Sequence, residues 1–165
     1  MNSVAKSSAL SLELSLELSR RFDAPPERVF DAWLGEEWGE WLPPRASRCK
    51  VTRIEPRVGG RYHVAMTMAD GRSIEISGEY REVVRPARLV FTWFAHYNDQ
   101  ETLITLNFRP DGGGTLMTFR QEGFGDAQLR DGYGGGWSGP NGSFAKLDAI
   151  LAQDSGAAAK AQTFG

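Results

Sequence analysis

The N-terminal part of the chain alternates strictly between leucine and a polar residue from Leu10 to Ser19. A two-residue period is typical of a β-strand with one apolar and one solvated face. The pair Pro25-Pro26 ends this pattern, and proline favours the first turn of a helix, where its missing N–H has no partner anyway. Four apolar residues then follow at helical spacing: Val29, Phe30, Trp33 and Leu34. A strand that leads into a helix ahead of further strands predicts a sheet that curls around an interior.

Six further strands are predicted from runs of alternating apolar residues between turn signals such as Asp70-Gly71. These strands cover Arg48–Glu55, Arg61–Met68, Ser73–Val84, Leu89–Phe94, Glu101–Arg109 and Thr115–Gln121. Their apolar positions share one face of the sheet: Tyr62, Val64, Met66, Ile74, Ile76, Tyr80, Phe91, Trp93, Ile104, Leu106, Phe108, Met117 and Phe119. One apolar face and one polar face are typical of an antiparallel sheet that covers a core on one side.

Helices are predicted before and after these six strands along the chain. A second short helix runs from Trp38 to Leu42 and ends at Pro43, and a long helix runs from Asp126 to about Gln153. The expected fold class is therefore α+β, with a curved seven-stranded antiparallel sheet against the C-terminal helix. We expect one domain over residues 10–153, with flexible segments at 1–9 and 154–165.

The C-terminal helix is predicted to be interrupted between Trp137 and Phe144. Pro140 lacks an N–H and its ring clashes with the preceding turn, at a cost of about 3 kcal/mol in a helix interior. Gly139 and its neighbours weaken the helix further. We expect Asn141 to cap a second helical segment. A hinge at this break could open the interior.

Charge and composition exclude several functions. The formal net charge of the 165-residue chain is -2 and no basic stripe is evident, so a nucleic acid is not expected as a partner. No apolar window is long enough to span a bilayer, so the prediction is a cytoplasmic protein without a membrane partner. The single cysteine, Cys49, excludes an intramolecular disulfide. Its neighbours Arg48 and Lys50 could lower the pKa of its thiol, but a structural or incidental thiol is the favoured interpretation, because no histidine and aspartate accompany it at catalytic spacing.

Five segments of the chain resemble one known family: Phe22–Trp33, Val58–Tyr62, Gly78–Tyr80, Arg85–Trp93 and Gly136-Trp137. Their order and spacing over residues 10–152 resemble the Bet v 1/START-like (SRPBCC) superfamily and, within it, the heat-shock protein 90 ATPase activator homologues. This resemblance implies the helix-grip fold, with two short helices between strands one and two. The superfamily includes lipid carriers, hormone receptors and cyclases, so the resemblance implies binding of a hydrophobic ligand or an enzyme of that kind, and the family implies a chaperone-associated role in the stress response.

Three functions remain open from the sequence. We expect a binding module or carrier for an apolar small molecule or lipid-like ligand, in a cavity between the sheet and the C-terminal helix. The first alternative is a chaperone-associated regulator like the heat-shock protein 90 ATPase activators, with a chaperone as its partner. The second is a cyclase or hydrolase type of enzyme that uses the same cavity. The sequence favours a non-enzymatic protein, present as a monomer or weak homodimer.

The candidate ligand-binding residues are aromatic or apolar residues around the expected cavity, together with a few polar side chains. They are Trp33, Trp41, Tyr62, Met66, Ile76, Tyr80, Trp93, Leu106, Phe119, Gln121 and Trp137. Apolar pockets are typically lined by aromatic side chains with a few polar groups that orient the ligand. Packing in an ordinary core is the alternative for each tryptophan, and bonding to backbone or water is the alternative for Tyr62, Tyr80 and Gln121.

Catalytic, cofactor and metal sites are not expected. His63 is predicted to point outward, and neither it nor His96 has a partner at metal-ligand spacing. The glycine runs 112–114 and 134–136 are not followed by Lys-Ser or Lys-Thr, so neither is a phosphate-binding loop. The polar loop 96–99 is interpreted either as a solvated hairpin or as part of a pocket mouth.

Overall fold

The computed structural model describes residues 14–44 and 46–164, with side chains through Asp154. Seven strands form one sheet: β1 (Leu16–Phe22), β2 (Arg48–Ile54), β3 (Arg61–Thr67), β4 (Ser73–Val84), β5 (Arg88–Ala95), β6 (Gln100–Asp111) and β7 (Gly114–Glu122). The ends of β2 to β7 lie within two residues of the predicted ends. The leucine alternation is confirmed only in part, because residues 10–13 lie outside the described residues and β1 begins at Leu16.

All neighbouring strands of the sheet are antiparallel, in the order β1-β7-β6-β5-β4-β3-β2. The first strand therefore crosses to pair with the last, so that Leu18 lies opposite Phe119. Register shifts in β2 and β4 mark irregular pairing of the kind that increases local twist. The face predicted to be apolar is the buried face, as Val64, Leu106 and Met117 are each fully buried.

Two short helices follow β1, namely α1 (Pro26–Ala32) and α2 (Trp38–Trp41). Pro26 opens α1, as the double proline predicted. Arg28 and Glu37 connect the two helices through two parallel N–H···O bonds of 2.7 and 2.8 Å. The indole N–H of Trp41 donates to the carbonyl of Ala32 at 3.0 Å. These contacts hold the aromatic side chains of both helices against the concave face of the sheet.

The C-terminal part consists of two helices, α3 (Ala127–Ser138) and α4 (Ser143–Phe164). The predicted interruption is confirmed, since the Gly139 N–H donates to Gly135 whereas the Gly142 N–H donates only three residues back, to Gly139. The prediction that Asn141 caps the second segment is wrong, because α4 begins at Ser143 and Gly142 is the residue immediately before it. A Cβ at Gly142 would lie 2.7 Å from the Gly136 carbonyl oxygen, so this position requires glycine.

Charged side chains attach α4 to the N-terminal part of the fold. Arg20 of β1 pairs with Asp148, and Arg28 pairs with Asp154 at 2.5 Å. The helix continues past the predicted end near Gln153 to Phe164, while the flexibility of this tail stays a prediction. The arrangement of sheet, inserted helices and C-terminal helix confirms the predicted α+β helix-grip fold.

Candidate ligand-binding cavity

A cavity of about 490 Å³ lies between α3 and strands β3, β4 and β5. Its floor consists of apolar residues of the concave face, four of them in strands and Met68 directly after β3: Met66, Met68, Ile74, Ile76 and Trp93. Leu42, Pro44 and Ser143 border it on the side of α2 and α4. Since methionine is flexible and polarisable, the floor can adapt to occupants of different shapes.

The roof of the cavity is one face of α3. Leu129, Tyr133 and Trp137 follow at four-residue spacing, so their side chains lie on the same face of the helix. Gly132 and Gly136 lie between them on this face and contribute no side-chain volume. A Cβ at Gly132 would meet no heavy atom within 4 Å. The glycines of α3 therefore leave room between helix and sheet that larger residues would fill.

A hydrogen bond joins a tryptophan and a tyrosine side chain near the mouth of the cavity. The Trp93 indole N–H donates to the Tyr133 hydroxyl at 3.0 Å. Burial, and then hydrogen bonding with Tyr97, raises the pKa of Tyr133 well above its ordinary value. Tyr97 itself is 52% exposed and lines the cavity with Asp126, which is also exposed. The polar loop after Trp93 thus contributes to a pocket mouth, one of the two interpretations left open by the sequence.

A buried chain of hydrogen bonds holds the inner end of the roof in place. The Trp137 indole N–H donates to the Gln121 side-chain oxygen at 3.0 Å. The Gln121 amide in turn donates to the Thr102 hydroxyl at 2.8 Å. Trp137 is also stacked on Phe144 of α4, with 5.6 Å between ring centroids. These contacts fix the orientation of Trp137 at the point where the helix is interrupted.

Four of the eleven predicted site residues line the cavity: Met66, Ile76, Trp93 and Trp137. The other seven lie in the packed core beside it and are not among its lining residues: Trp33, Trp41, Tyr62, Tyr80, Leu106, Phe119 and Gln121. Ligand contact for any of the eleven stays a prediction. The cavity lies mainly under α3, which is the first part of the predicted C-terminal helix.

The packed core contains most of the aromatic side chains. The Trp33 ring lies 4.7 Å from Trp41 and 6.5 Å from Phe119, measured between centroids. The Tyr62 hydroxyl donates to the Thr92 carbonyl at 2.5 Å, so the polar atom of this side chain bonds to the backbone. Gln121 is likewise paired within the core. For Tyr62, bonding to the backbone agrees with the geometry, whereas Gln121 bonds to the side chains of Thr102 and Trp137.

Sequence reasoning missed most of the roof and mouth of the cavity. Ile74 and Tyr97 line the cavity, although the sequence predicts only an apolar sheet position for Ile74 and a polar loop for Tyr97. The sequence does contain a signal for the roof, because Leu129, Tyr133 and Gly136 recur at helical spacing and so share one face of α3. Glycines on that face indicate a gap in the packing between the helix and the sheet.

The two histidines and the cysteine are not among the residues that line the cavity. His63 and His96 are near each other on the outer face of the sheet, with ring centroids 6.0 Å apart. Within residues 14–44 and 46–164, no group of three His, Cys, Asp or Glu side chains is arranged to hold a metal ion. The expectation that Arg48 and Lys50 lower the pKa of Cys49 is wrong, since burial raises the pKa of this thiol to about 11.

The fold and the site define a helix-grip protein with an apolar cavity under the first half of its C-terminal helix. Residues 23–152 match the family described as activator of Hsp90 ATPase homolog 1-like protein. Because this match covers most of the chain, the protein belongs to that family. None of the curated proteins matches the chain.

Solved structures share this fold over nearly their whole length. Protein CV1439 from Chromobacterium violaceum is 29% identical with a TM-score of 0.77, covering 84% of this chain and 97% of the other. The AHSA1 protein from Silicibacter pomeroyi is 26% identical with a TM-score of 0.73, covering 85% and 99%. Protein NE0264 from Nitrosomonas europaea is 23% identical with a TM-score of 0.75, covering 87% of this chain and 97% of the other. At this identity the similarity shows a common fold alone.

Over the described part of the chain, no helix combines the length and the apolar character needed to cross a bilayer.

Proposed function

We propose that this protein binds an apolar small molecule in the cavity under α3, as a binding module or carrier. The supporting observation is an open space of about 490 Å³ with a floor of apolar side chains and a roof shaped by glycines. Ligand pockets typically enclose about 300–1,000 Å³ and combine apolar walls with a few polar groups. An apolar ligand that enters this space would remove both its own surface and that of the cavity from water, which stabilises the complex.

The polar groups of the cavity would orient a ligand rather than react with it. Tyr133 is held by Trp93, and Ser143 donates to the Leu42 carbonyl at 2.5 Å, so both hydroxyls have fixed positions. Among the described lining residues there is one carboxylate, that of Asp126, and neither a histidine nor a cysteine. An acid–base pair would need two groups that converge on one point of the ligand. The lining therefore favours binding over the cyclase or hydrolase alternative.

Two glycine variants of α3 test whether the cavity is the binding site. Gly132→Leu places a side chain in the cavity, whereas Gly135→Leu places the same side chain on the same helix at a position that does not line it. A Cβ has no heavy atom within 4 Å at either position. Both variants replace a helical glycine and should gain about 1 kcal/mol of helix stability. Matched denaturation midpoints would show that both proteins are folded.

Binding is measured by the fluorescence of Nile red, an uncharged apolar dye, and by native mass spectrometry of freshly purified protein. We expect wild type and Gly135→Leu to bind the dye alike, and Gly132→Leu to lose at least about tenfold in affinity because its side chain occupies the site. A co-purifying ligand would be present in the first two proteins and depleted in Gly132→Leu. Equal dye affinity in all three proteins, or absence of dye binding to wild type, would refute the proposal.

A chaperone-associated role is the second candidate, and it rests on the family description. It would use the outer surface, where the exposed carboxylate Glu36 of the α1–α2 insert is available to a basic partner. The test is the ATPase rate of heat-shock protein 90 with and without this protein. Acceleration that persists in Gly132→Leu would assign the activity to the surface. An unchanged ATPase rate would remove this candidate.

A further inference from the structure

The ionisable groups around the cavity are distributed asymmetrically. Among its described lining residues, Asp126 is the one with an acidic side chain, and none is an arginine, lysine or histidine. Its carboxylate oxygen Oδ1 accepts the Leu129 N–H at 2.7 Å, which holds the side chain at the first turn of α3. The mouth of the cavity thus carries a fixed negative charge.

The far end of the cavity lies close to a positive charge. Lys146 follows the lining residue Ser143 by one turn of α4, and its ammonium group donates to the carbonyl of Pro43. Trp137 lies eleven positions after Asp126, which corresponds to about 16 Å along the helix axis. A charged ligand would therefore meet opposite electrostatic environments at the two ends of the cavity.

Aromatic rings wall the cavity along α3. Trp93 and Tyr133 lie 6.2 Å apart with their planes at 85°, and Trp93 and Trp137 lie 5.4 Å apart at 63°. Rings at such steep angles form adjacent walls of a box. Tyr97 adds a further ring at the exposed edge. The negative face of an aromatic ring attracts cations, and quaternary ammonium groups are bound in this way by aromatic cages.

We infer that the cavity selects a cationic amphiphile, with its positive head between Asp126 and the rings of Tyr97 and Tyr133, and its apolar tail along α3 toward Trp137. This inference rests on the proposed function, since it assigns the ligand class of the same cavity. An anionic amphiphile such as a fatty acid is disfavoured, because its head would lie against the Asp126 carboxylate. A neutral amphiphile binds through its tail alone.

Three probes with the same decyl chain test the charge preference: decyltrimethylammonium, decanol and decanoate. Each is titrated below its micellar concentration against the Nile red complex of the wild-type protein. We expect decyltrimethylammonium to bind about threefold to tenfold more tightly than decanol, with decanoate weakest. Decanoate that binds as tightly as decyltrimethylammonium would overturn the inference.

The variant Asp126→Asn removes the charge and keeps the helix cap, because asparagine is as good a capping residue as aspartate. It should abolish most of the preference for decyltrimethylammonium over decanol. Asp131→Asn is the matched control, since Asp131 lies on the same helix, is 71% exposed and does not line the cavity. Tyr97→Leu should weaken decyltrimethylammonium more than decanol.

The outcomes separate this inference from the proposal on which it rests. If Asp126→Asn lowers the affinity for all three probes equally, the cationic preference is overturned. The cavity would then remain a binding site for neutral molecules. Failure of Nile red and all three probes to bind wild type would overturn both. If Asp131→Asn and Asp126→Asn lower the preference for decyltrimethylammonium equally, the preference depends on the net charge of the protein. That result would overturn its assignment to Asp126.

Discussion

The two ends of the concave sheet face differ in how they are filled. At one end, the inserted helices α1 and α2 supply Trp33, Trp38 and Trp41, and each of these rings is at most 1% exposed. At the other end, α3 covers the sheet with a face that includes Gly132 and Gly136, and a cavity of about 490 Å³ remains. The same alternating strand pattern lies beneath both ends, so the helices rather than the strands decide where the fold is open.

Trp137 lies at the boundary between these two regions. Its ring is 5.9 Å from Trp33 in the packed region and 5.4 Å from Trp93 in the cavity wall. The interruption of the C-terminal helix follows immediately after it. The boundary is therefore fixed by a tryptophan with contacts on both sides, and the two regions can be perturbed separately by substitutions on either side of it.

The largest difference is expected between Trp33→Ala and Trp93→Ala. Removal of the Trp33 ring leaves a void enclosed by other aromatic rings, and such truncations cost about 3–5 kcal/mol of unfolding free energy. Trp93 already faces the cavity, so its loss enlarges an existing space and should cost clearly less. Denaturant unfolding of both variants measures the two losses. Equal losses would contradict the division into a packed and an open region.

Gly78→Ala should cost about 2–3 kcal/mol through overpacking in the packed region. A Cβ at this position would lie 1.9 Å from the Thr92 carbonyl oxygen and 2.6 Å from the Tyr62 ring. The methyl group would displace both partners of the Tyr62–Thr92 hydrogen bond. Gly135→Ala, at an open position of α3, is the control and should not destabilise. A change in the unfolding free energy of Gly78→Ala below about 0.5 kcal/mol would show that this region is not tightly packed.

Gln121→Met should lower the free energy of unfolding by about 1–3 kcal/mol, because it leaves the buried Trp137 N–H without its acceptor. The substitution keeps a similar side-chain shape and removes only the polar groups. A double-mutant cycle with Trp137→Phe measures the coupling, and the cost of Gln121→Met should fall in that background. Additive effects of the two substitutions would show that the hydrogen bond does not stabilise the boundary.

The buried tyrosines should affect stability only at alkaline pH. Burial raises the pKa of Tyr62, Tyr80 and Tyr133 above their ordinary value of 10.0. In the unfolded chain the pKa of these hydroxyls returns to 10.0, so the unfolded chain releases their protons at a lower pH than the folded protein does. The free energy of unfolding is therefore unaffected below pH 10 and falls as the pH rises above it. Tyrosinate absorbance and circular dichroism, followed together, should show these three ionising as the fold is lost. Ionisation of all four tyrosines in the folded protein would contradict their burial.

The strands and the helix interruption were predictable because their signals are local. Alternation fixes the faces of β3 to β7, and Pro140 cannot continue a helix wherever it packs. The position of the cavity was not predictable in the same way. Trp33 and Trp93 are both large apolar residues on core-facing positions, and only the packing of α1, α2 and α3 against the sheet decides which ring is enclosed. The hinge at the interruption stays a prediction.

The five tryptophan indole N–H groups provide the most direct measurement, because they sample both regions of one molecule. Two-dimensional ¹H–¹⁵N spectra of the protein are recorded during a titration with decanol. Occupation of the cavity predicts shifts of the Trp93 and Trp137 signals, while the signals of Trp33, Trp38 and Trp41 stay in place. Shifts centred on the latter three, or unchanged positions of all five signals at saturating decanol, would contradict an accessible cavity under α3.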